Sequence, residues 1–417
     1  MARRAAGRFA IVVAVIALAP SFGARAAAPS FEVTTNPYTF GQAPDWMPDG
    51  IHVVHHAPDA DGVNQIFIAK LDGTESRCLT CGQPGPNMVP DARPQGDVVL
   101  FHSWRGTNIT LGAPGFGGLG ADLYVVPVGG GDAVALTTDH DGYDNYHAYF
   151  SPDGNRIVWT RLNWNFVTDS GRGYWDIRVA DYVPTPVPHL EHITVVHEGP
   201  GHYFETQHWS PDGCGFLFTE SIGTTLNLEL FYLDLCKPEG DPARLRRLTD
   251  NPAWDEQAIF TPDMTKVIFM STRDHPGAWN TWAHAFWTAG TPNNLDYLLI
   301  LPLFELGFLQ PVAAESNDLY ELDLASGAVR RLTHNGDDGW IIPEFVWDPA
   351  GQRLLWTESK YHDGVRMQLP PDPVRDVTEL LAMLQHPPLP DLGGLNGVGL
   401  TPGFLLLHRT EIGRYLP

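Results

Sequence analysis

Histidine, glutamate and glutamine recur within five positions before a short turn motif that the sequence repeats. The candidate binding residues in this pattern are His147, Glu205, Gln207, His208, Glu256, Gln257 and Glu344. Imidazole nitrogens with carboxylate and amide oxygens can hold Mn²⁺, Ca²⁺ or Zn²⁺. The alternative, which we favour, is that single His and Gln residues here are hydrogen-bonded structural groups, and we assign no catalytic residue.

A turn motif that recurs six times must position these residues. Its clear copies occupy residues 45–50, 149–154 and 208–213, and weaker copies occupy 90–96, 259–263 and 346–351. In the clear copies an aromatic residue precedes Pro-Asp-Gly, where proline presets φ and Asp-Gly supplies the polar bond and positive φ of a tight turn. Each copy therefore predicts a junction between two antiparallel strands.

The strands around each turn predict a repeated sheet. An alternating strand follows every turn, and in most repeats further strands follow, the last ending in basic-Leu-Thr, as at 247–249 and 331–333. One four-stranded sheet cannot bury both of its faces, whereas six sheets in a ring can. The sequence therefore predicts an all-β, six-bladed β-propeller with four-stranded antiparallel blades. Residues 31–36 resemble a fourth strand but precede the first turn, so we expect them to complete the last blade and close the ring.

These turns and trailing strands resemble the WD-like repeats of TolB-type β-propellers over about residues 31–365. The resemblance implies the propeller fold, whose innermost strands line a central channel, and it places the candidate residues towards that channel. It implies much less about function, because one fold carries many different sites. No Gly-x-Ser-x-Gly elbow is present in the sequence, so serine hydrolysis lacks its usual carrier.

A weaker resemblance is to oligogalacturonate lyases, which are seven-bladed propellers with similar repeats. They hold a metal on several histidines and one glutamine in the channel, and His147, His202, Gln207 and His208 are similar in kind. The resemblance implies a metal that acidifies the proton α to a uronate carboxylate, and a base that removes it in β-elimination. No complete ligand set or substrate-binding arginine can be aligned.

One interval between turns is too long for a single blade. Thr261 and Asp348 are 87 residues apart, against 46 to 59 residues for the other intervals. This predicts either a seventh blade or, as we favour, an insertion of about residues 275–315 in blade five. The insertion is apolar and either packs on its own blade or forms a hydrophobic docking surface.

The C-terminal extension, about residues 366–417, also departs from the repeat. Residues 374–385 have apolar side chains at helical spacing and predict a short amphipathic helix. The strand-like residues 403–408 are expected to pack on the edge of the propeller.

The N-terminus has the pattern of a secretion signal. Arg3, Arg4 and Arg8 precede an apolar run at 9–18, and Ala24-Arg25-Ala26 is a small-x-small cleavage motif. Ordinary secretion fits better than twin-arginine export, because the residues after Arg3-Arg4 match that signal poorly. We therefore predict a signal peptide over 1–26, a single propeller domain over 27–417 and a periplasmic or secreted protein.

The four cysteines fit an oxidising compartment. Cys214 and Cys236 lie at the adjacent ends of two predicted antiparallel strands, so a disulfide between them is geometrically natural. Cys78 and Cys81 form a C-x-x-C motif after a strand rather than at a helix N-terminus. We therefore favour a structural pair or two unrelated thiols over a redox site.

The formal net charge of -23 makes nucleic acid an unsuitable partner. Acidic residues cluster at 139–144, 250–256 and 337–338, either for turn formation and solubility or as an electronegative mouth for a cation or basic segment. Two functions follow. We favour a monomeric binding module for a protein, peptide or carbohydrate ligand, with no transmembrane segment in the mature chain. The alternative is a metal-dependent carbohydrate-active enzyme.

Overall fold

The computed structural model describes residues 30–105, 120–140, 142–163, 174–200, 203–222, 228–275, 316–361 and 406–416. Strand β1 (Ser30–Thr35) comes first, and 23 further strands follow in six four-stranded antiparallel sheets. The sheets form the blades of a propeller ring, which confirms the predicted fold class. A single-turn 3-10 helix at Asn335–Asp338 lies between blades five and six. Among the described residues, no helix has the length and apolar character needed to cross a membrane.

The first three blades follow one another in chain order. Blade one contains β2 (Gln42–Trp46), β3 (His52–Pro58), β4 (Asn64–Lys70) and β5 (Arg77–Cys78). Blade two contains β6 (Asn87–Ala92), β7 (Val98–Ser103), β8 (Asp122–Pro127) and β9 (Val134–Ala135). Blade three contains β10 (Tyr143–Phe150), β11 (Arg156–Asn163), β12 (Tyr174–Val183) and β13 (His189–Pro200).

The last three blades complete the ring. Blade four contains β14 (Phe204–Trp209), β15 (Gly215–Ser221), β16 (Leu228–Asp234) and β17 (Leu245–Arg247). Blade five contains β18 (Asp255–Phe260), β19 (Lys266–Ser271), β20 (Asp318–Asp323) and β21 (Val329–Arg331). Blade six contains β22 (Phe345–Trp347), β23 (Leu354–Tyr361), β24 (Leu406–Leu416) and β1.

The repeated turn has the local chemistry that its sequence predicts. In blade three the Gly154 amide donates to the Ser151 carbonyl at 2.7 Å, and Gly154 has a φ of 66°. The Asp153 carboxylate accepts from the Ser151 hydroxyl at 2.6 Å and from the Asn155 amide at 3.1 Å. These bonds close the turn between the innermost strand and the second strand, so each innermost strand ends at a fixed point.

Adjacent blades are held together by buried aromatic side chains. Trp159 and Trp356 are 1% and 0% exposed and lie in two different clusters between blades. Trp209 Nε1 donates to the Tyr149 carbonyl of the preceding blade at 3.0 Å. Each fully buried large side chain stabilises the fold by roughly 2 kcal/mol, so the ring depends on contacts between neighbouring blades.

Strand β1 closes the ring from the N-terminal side. It pairs antiparallel with β24 over six residues, from Ser30 opposite Leu416 to Thr35 opposite Glu411. The expectation that residues 31–36 complete the last blade is therefore confirmed. The expected position of 403–408 at the propeller edge is wrong for residues 406–408, because β24 begins at Leu406 and lies between β23 and β1. Residues 403–405 lie outside the described residues. The predicted helix at 374–385 lies outside the described residues.

Blade five has its four strands on both sides of the long interval. β19 pairs directly with β20, although 46 residues, 272–317, separate them in the chain. The proposed insertion at 275–315 falls between these two strands, and residues 276–315 of it lie outside the described residues.

Both cysteine pairs are disulfides. Cys214 bonds to Cys236 across the β15–β16 hairpin, as predicted, and Cys78 bonds to Cys81. The two bridges span 22 and 3 residues of sequence. Because a longer closed loop restricts the unfolded chain more, we expect replacement of Cys214 and Cys236 by serine to cost about 3 kcal/mol. The same change at Cys78 and Cys81 should cost less, and equal shifts in urea-unfolding midpoints would contradict this account.

Candidate functional site in the channel

A bulge in the innermost strands turns side chains towards the channel. The non-glycine residues with positive φ there are Ala43, Val89, His147 and Gln257. All four stand four positions before the serine-equivalent residue of their turns, and the strand register breaks at each of them. A bulge re-aims neighbouring side chains, so the same count along each strand brings residues from different blades to one level of the channel.

The Glu205 carboxylate is the centre of a buried polar cluster. Its Oε1 accepts from Gln257 Nε2 at 3.1 Å and from Gln207 Nε2 at 3.5 Å, and its Oε2 accepts from the Tyr203 hydroxyl. His147 Nδ1 lies 3.0 Å from Oε1 without the angle of a hydrogen bond. Glu205 is 4% exposed. Because His147, Gln207 and Gln257 come from blades three, four and five, these three blades meet at this one buried carboxylate.

A second carboxyl group bonds to Glu205 from blade five. The side-chain hydrogen bond between Glu256 and Glu205 lowers the pKa of Glu205 and raises that of Glu256. Burial, followed by the charge of Glu205, raises the pKa of Glu256 well above its usual range. Trp254 Nε1 donates to Glu256 Oε2 at 2.7 Å. Glu205 and Glu256 therefore influence each other's ionisation.

Glu344 brings a third carboxyl group from blade six. Burial, with repulsion from Glu205 and Glu256 and then Asp45, raises the pKa of Glu344 to about 8. Glu256 and Glu344 stay partly accessible to solvent, as expected for side chains that line a channel. Among the described residues, no lysine or arginine pairs with Glu205, Glu256 or Glu344. The cluster therefore contains three acidic groups and no described basic group that balances their charge.

The predicted metal ligands do not all meet. His147 and Gln207 both reach Glu205, whereas the His208 ring lies against the Tyr149 ring at 4.7 Å between centroids. His202 lies outside the described residues. Burial lowers the pKa of both His147 and His208 to about 4, so both rings are neutral at pH 7. The Gln207 Oε1 atom is fully buried and accepts no hydrogen bond from the described residues.

Sequence reasoning missed a second level of acids in the channel. Asp45 and Asp91 stand two positions before the serine-equivalent residue of their turns, where blade three has Tyr149 and blade four has His208. The Asp45 carboxylate accepts from the Ala92 amide at 2.7 Å, and the Asp91 carboxylate accepts from the Phe150 amide at 2.8 Å. The signal that could have found them is this shared position in the repeat.

The buried histidines of blade one have structural partners. His56 Nδ1 accepts from the Val89 amide of blade two at 3.3 Å, and Thr160 accepts in the same way from the Thr206 amide at 2.8 Å. Burial lowers the pKa of His56 to about 3, so its ring is neutral. The Nδ1 atom of His56 therefore serves the contact between blades, while its buried Nε2 has no hydrogen-bond partner among the described residues.

One group of metal-ligand type lies away from the channel, in blade five. His275, Asp318 and Asp337 place three ligand atoms within 4.8 Å of one another. Arg331 lies among them and donates to His275 at 3.1 Å and to Asp337 at 2.7 Å, besides pairing with Asp318. A guanidinium already supplies the positive charge there. Thr333 bonds to Asp318 within blade five as Thr137 bonds to Asp122 within blade two. The group therefore belongs to a hydrogen-bond network that is repeated in these two blades.

Arg331 should therefore be needed for stability. Asp318 is fully buried, and replacement of Arg331 by glutamine would leave its charge unpaired, at an expected cost of about 3 kcal/mol. Arg414 is the control, because its pair with Glu32 is exposed and should contribute less than about 1 kcal/mol. Urea unfolding measures both; similar losses for the two variants would show that Arg331 has no special role.

The fold and the site together define a six-bladed β-propeller with a carboxyl-lined channel. The chain matches no protein-family model and no curated protein sequence. TolB from Acinetobacter baumannii has a similar structure, with 15% identity and a TM-score of 0.47 over 76% of this chain and 59% of that one. This chain thus spans well under two thirds of that protein.

Two further solved structures are similar over most of their length. A TolB-type protein from Agrobacterium tumefaciens has 15% identity and a TM-score of 0.47, covering 93% of this chain and 98% of its own. An oligogalacturonate lyase in complex with manganese has 10% identity and a TM-score of 0.45, covering 94% and 97%. At these identities the similarities concern the fold, and no functional residue of this chain follows from them.

Proposed function

We propose that this protein is a binding module that takes a cationic nitrogen group of its ligand, an ammonium or a guanidinium, into the propeller channel. The observation that carries the proposal is the convergence of Glu205, Glu256 and Glu344 from three blades without a lysine or arginine partner among the described residues. Buried charges in proteins are normally paired or bind a cation. A ligand cation would supply the missing partner.

The electrostatics of the cluster support this proposal. Burial raises the pKa of all three glutamates, and mutual repulsion raises the pKa of Glu256 and Glu344 further. A cation nearby favours the ionised form and lowers these pKa values again. The cluster therefore gains more from a bound cation than a single exposed carboxylate does. The buried Gln207 Oε1 offers an additional acceptor for an N–H group.

The spacing of the channel groups favours a nitrogen cation over a metal ion. Metal ligands stand at about 2.0 to 2.6 Å from the ion, so their atoms must lie close together. Among the described residues, only the group at His275, Asp318 and Asp337 meets that condition, and Arg331 occupies it. A hydrogen-bonded ammonium or guanidinium reaches acceptors that are farther apart. The described channel residues do not form a ready metal site.

The same charges argue against the substrate of the lyase alternative. A uronate would bring its own carboxylate to a site that holds three carboxyl groups and no described basic partner. A protein or peptide that presents a lysine, arginine or amino terminus fits the cluster better. The two disulfides are typical of an oxidising compartment. With the signal peptide predicted over residues 1–26, we propose that the protein acts as a monomer in the periplasm or outside the cell.

Titration calorimetry with heptylamine, which carries one ammonium group, tests this function. We expect heptylamine to bind and heptanol, its uncharged analogue, not to bind. The double variant Glu256→Gln, Glu344→Gln should weaken heptylamine binding at least about tenfold, because each charge-assisted hydrogen bond is stronger than its neutral counterpart. Glu239→Gln, a matched change at an exposed loop of blade four, should leave it unchanged. Equal affinity in all three proteins, or no binding, would refute the proposal.

A further inference from the structure

We propose that the channel ligand is a linear dication, whose second ammonium group lies between Asp45 and Asp91. This inference rests on the proposed function, which places the first ammonium at Glu205, Glu256 and Glu344. Asp45 and Asp91 stand three residues further along their innermost strands than the level of Glu205. Three residues of a fully extended strand rise about 10 Å, and the bulges at Ala43 and Val89 make the separation along the channel shorter than that.

Asp45 and Asp91 are bound by backbone amides and have no basic partner among the described residues. Each is fixed by a backbone amide of the next blade, since Asp45 accepts from Ala92 and Asp91 accepts from Phe150. Neither forms an ion pair with a lysine or arginine among the described residues. Both residues stay partly accessible to solvent. They therefore line the channel and remain open to a ligand.

The electrostatics of this level repeat those of the first. Burial raises the pKa of Asp45 to about 7, and burial with the charge of Asp45 raises the pKa of Asp91 well above its usual range. Two carboxyl groups that repel each other ionise together less readily unless a cation lies nearby. The channel thus contains two acid pairs at two depths, Glu205 with Glu256 and Asp45 with Asp91.

Tyr149 is an independent sign of a ligand at the level of Asp45 and Asp91. Its side chain is 4% exposed, and its hydroxyl has no hydrogen-bond partner among the described residues. After burial, the charges that raise its pKa come from both levels, in the order Glu344, Glu205, Asp91, Asp45. Buried hydroxyl groups are normally hydrogen-bonded. An ammonium group at Asp45 and Asp91 would give this hydroxyl an N–H donor.

The spacing selects for chain length and for two charges. A short diamine cannot reach both acid levels, and a much longer one must fold or leave one end outside. A chain of seven methylene groups between two ammonium groups spans the upper limit of this separation and can bend to a shorter one. A monoamine of the same length fills only one of them. Chain length and charge number are therefore the variables of the test.

Calorimetry with diaminopropane, diaminoheptane, diaminododecane and heptylamine tests this inference. We expect diaminoheptane to bind at least tenfold more tightly than the other three. Tyr149→Phe and Asp91→Asn should lower its affinity to that of heptylamine and leave heptylamine binding unchanged. The thermal midpoint of Tyr149→Phe should not fall, because the hydroxyl that it removes has no partner.

The failures of the two proposals are distinguishable. If heptylamine and diaminoheptane bind with the same affinity, the second ammonium site is wrong and the proposed function stands. If Tyr149→Phe weakens both amines equally, the hydroxyl does not belong to a separate second site, and the inference is again wrong. If no amine binds, both proposals are overturned.

Discussion

A chain that begins at Asn36, and so lacks β1, should not form a stable monomeric propeller. The deletion removes the outermost strand of blade six and exposes the edge of β24 over six residues. It also removes Phe31, whose ring packs against that of Tyr415 at 5.2 Å, and the partly buried Val33. The lost apolar burial and strand hydrogen bonds amount to at least about 5 kcal/mol, comparable with the whole stability of many domains.

Thermal unfolding and size-exclusion chromatography measure this effect. A chain that begins at Ser30 keeps β1 and should unfold cooperatively as a monomer. The shorter chain should aggregate, because an exposed strand edge pairs with other chains. A shorter chain that stays monomeric and loses less than about 1 kcal/mol would show that β1 does not hold the ring closed.

Heptylamine binding should strengthen as the pH rises from 6 to 8. The pKa of Glu344 is raised to about 8 by burial and by its acidic neighbours, so this carboxyl is protonated and neutral below that pH. An ammonium that binds its ionised form must displace one proton. Affinity should then rise by up to tenfold per pH unit, or about 100-fold over this range, and level off above pH 8.

The groups around Glu344 give this prediction its direction. Burial also raises the pKa of Glu205, Glu256 and Asp45. Their loss of protons as the pH rises therefore adds to the increase in affinity for heptylamine. His147, with a pKa of about 4, does not titrate between pH 6 and 8. The variant Glu344→Gln should flatten the dependence in calorimetry. Affinity that is constant or falls with increasing pH in the unmodified protein would contradict the carboxyl site.

The pH dependence of the free protein follows from the same group. A carboxyl whose pKa is raised on folding contributes stability below its unfolded value, and that stability is lost as the pH rises through the folded value. For Glu344 the window runs from the ordinary glutamate pKa of 4.5 to about 8. The free protein should therefore lose stability across this window, less steeply in Glu344→Gln, and thermal scans at several pH values measure the difference.

The blades were predictable because their turn chemistry is local. Proline and Asp-Gly determine the turn at 149–154 without help from distant residues, and the unmatched strand at 31–36 required a partner in the last blade. Only the start of β24 was predicted as strand-like, because the centre of this strand is polar. Thr410 and Glu411 are 0% and 2% exposed, and Arg409 pairs with the buried Glu358. Only the tertiary ion pairs make that segment a buried strand.

The site was less accessible to sequence reasoning. Counting back from the turns located Glu205 and Gln257, which meet in the structure, but their contact depends on bulges that the sequence does not mark. Asp45 and Asp91 were passed over because aspartate beside a turn is usually a turn residue. Their position in the channel comes from hydrogen bonds to the next blade, which no local pattern reveals.

The position of the bound nitrogen in a crystal structure with heptylamine tests the central claim most directly. The account predicts one ammonium nitrogen in the channel at about 2.8 Å from carboxylate oxygens of Glu256 and Glu344, with Gln207 Oε1 as a further acceptor. A nitrogen bound on the outer surface, or a lysine or arginine of the chain itself lying at these carboxylates, would contradict it.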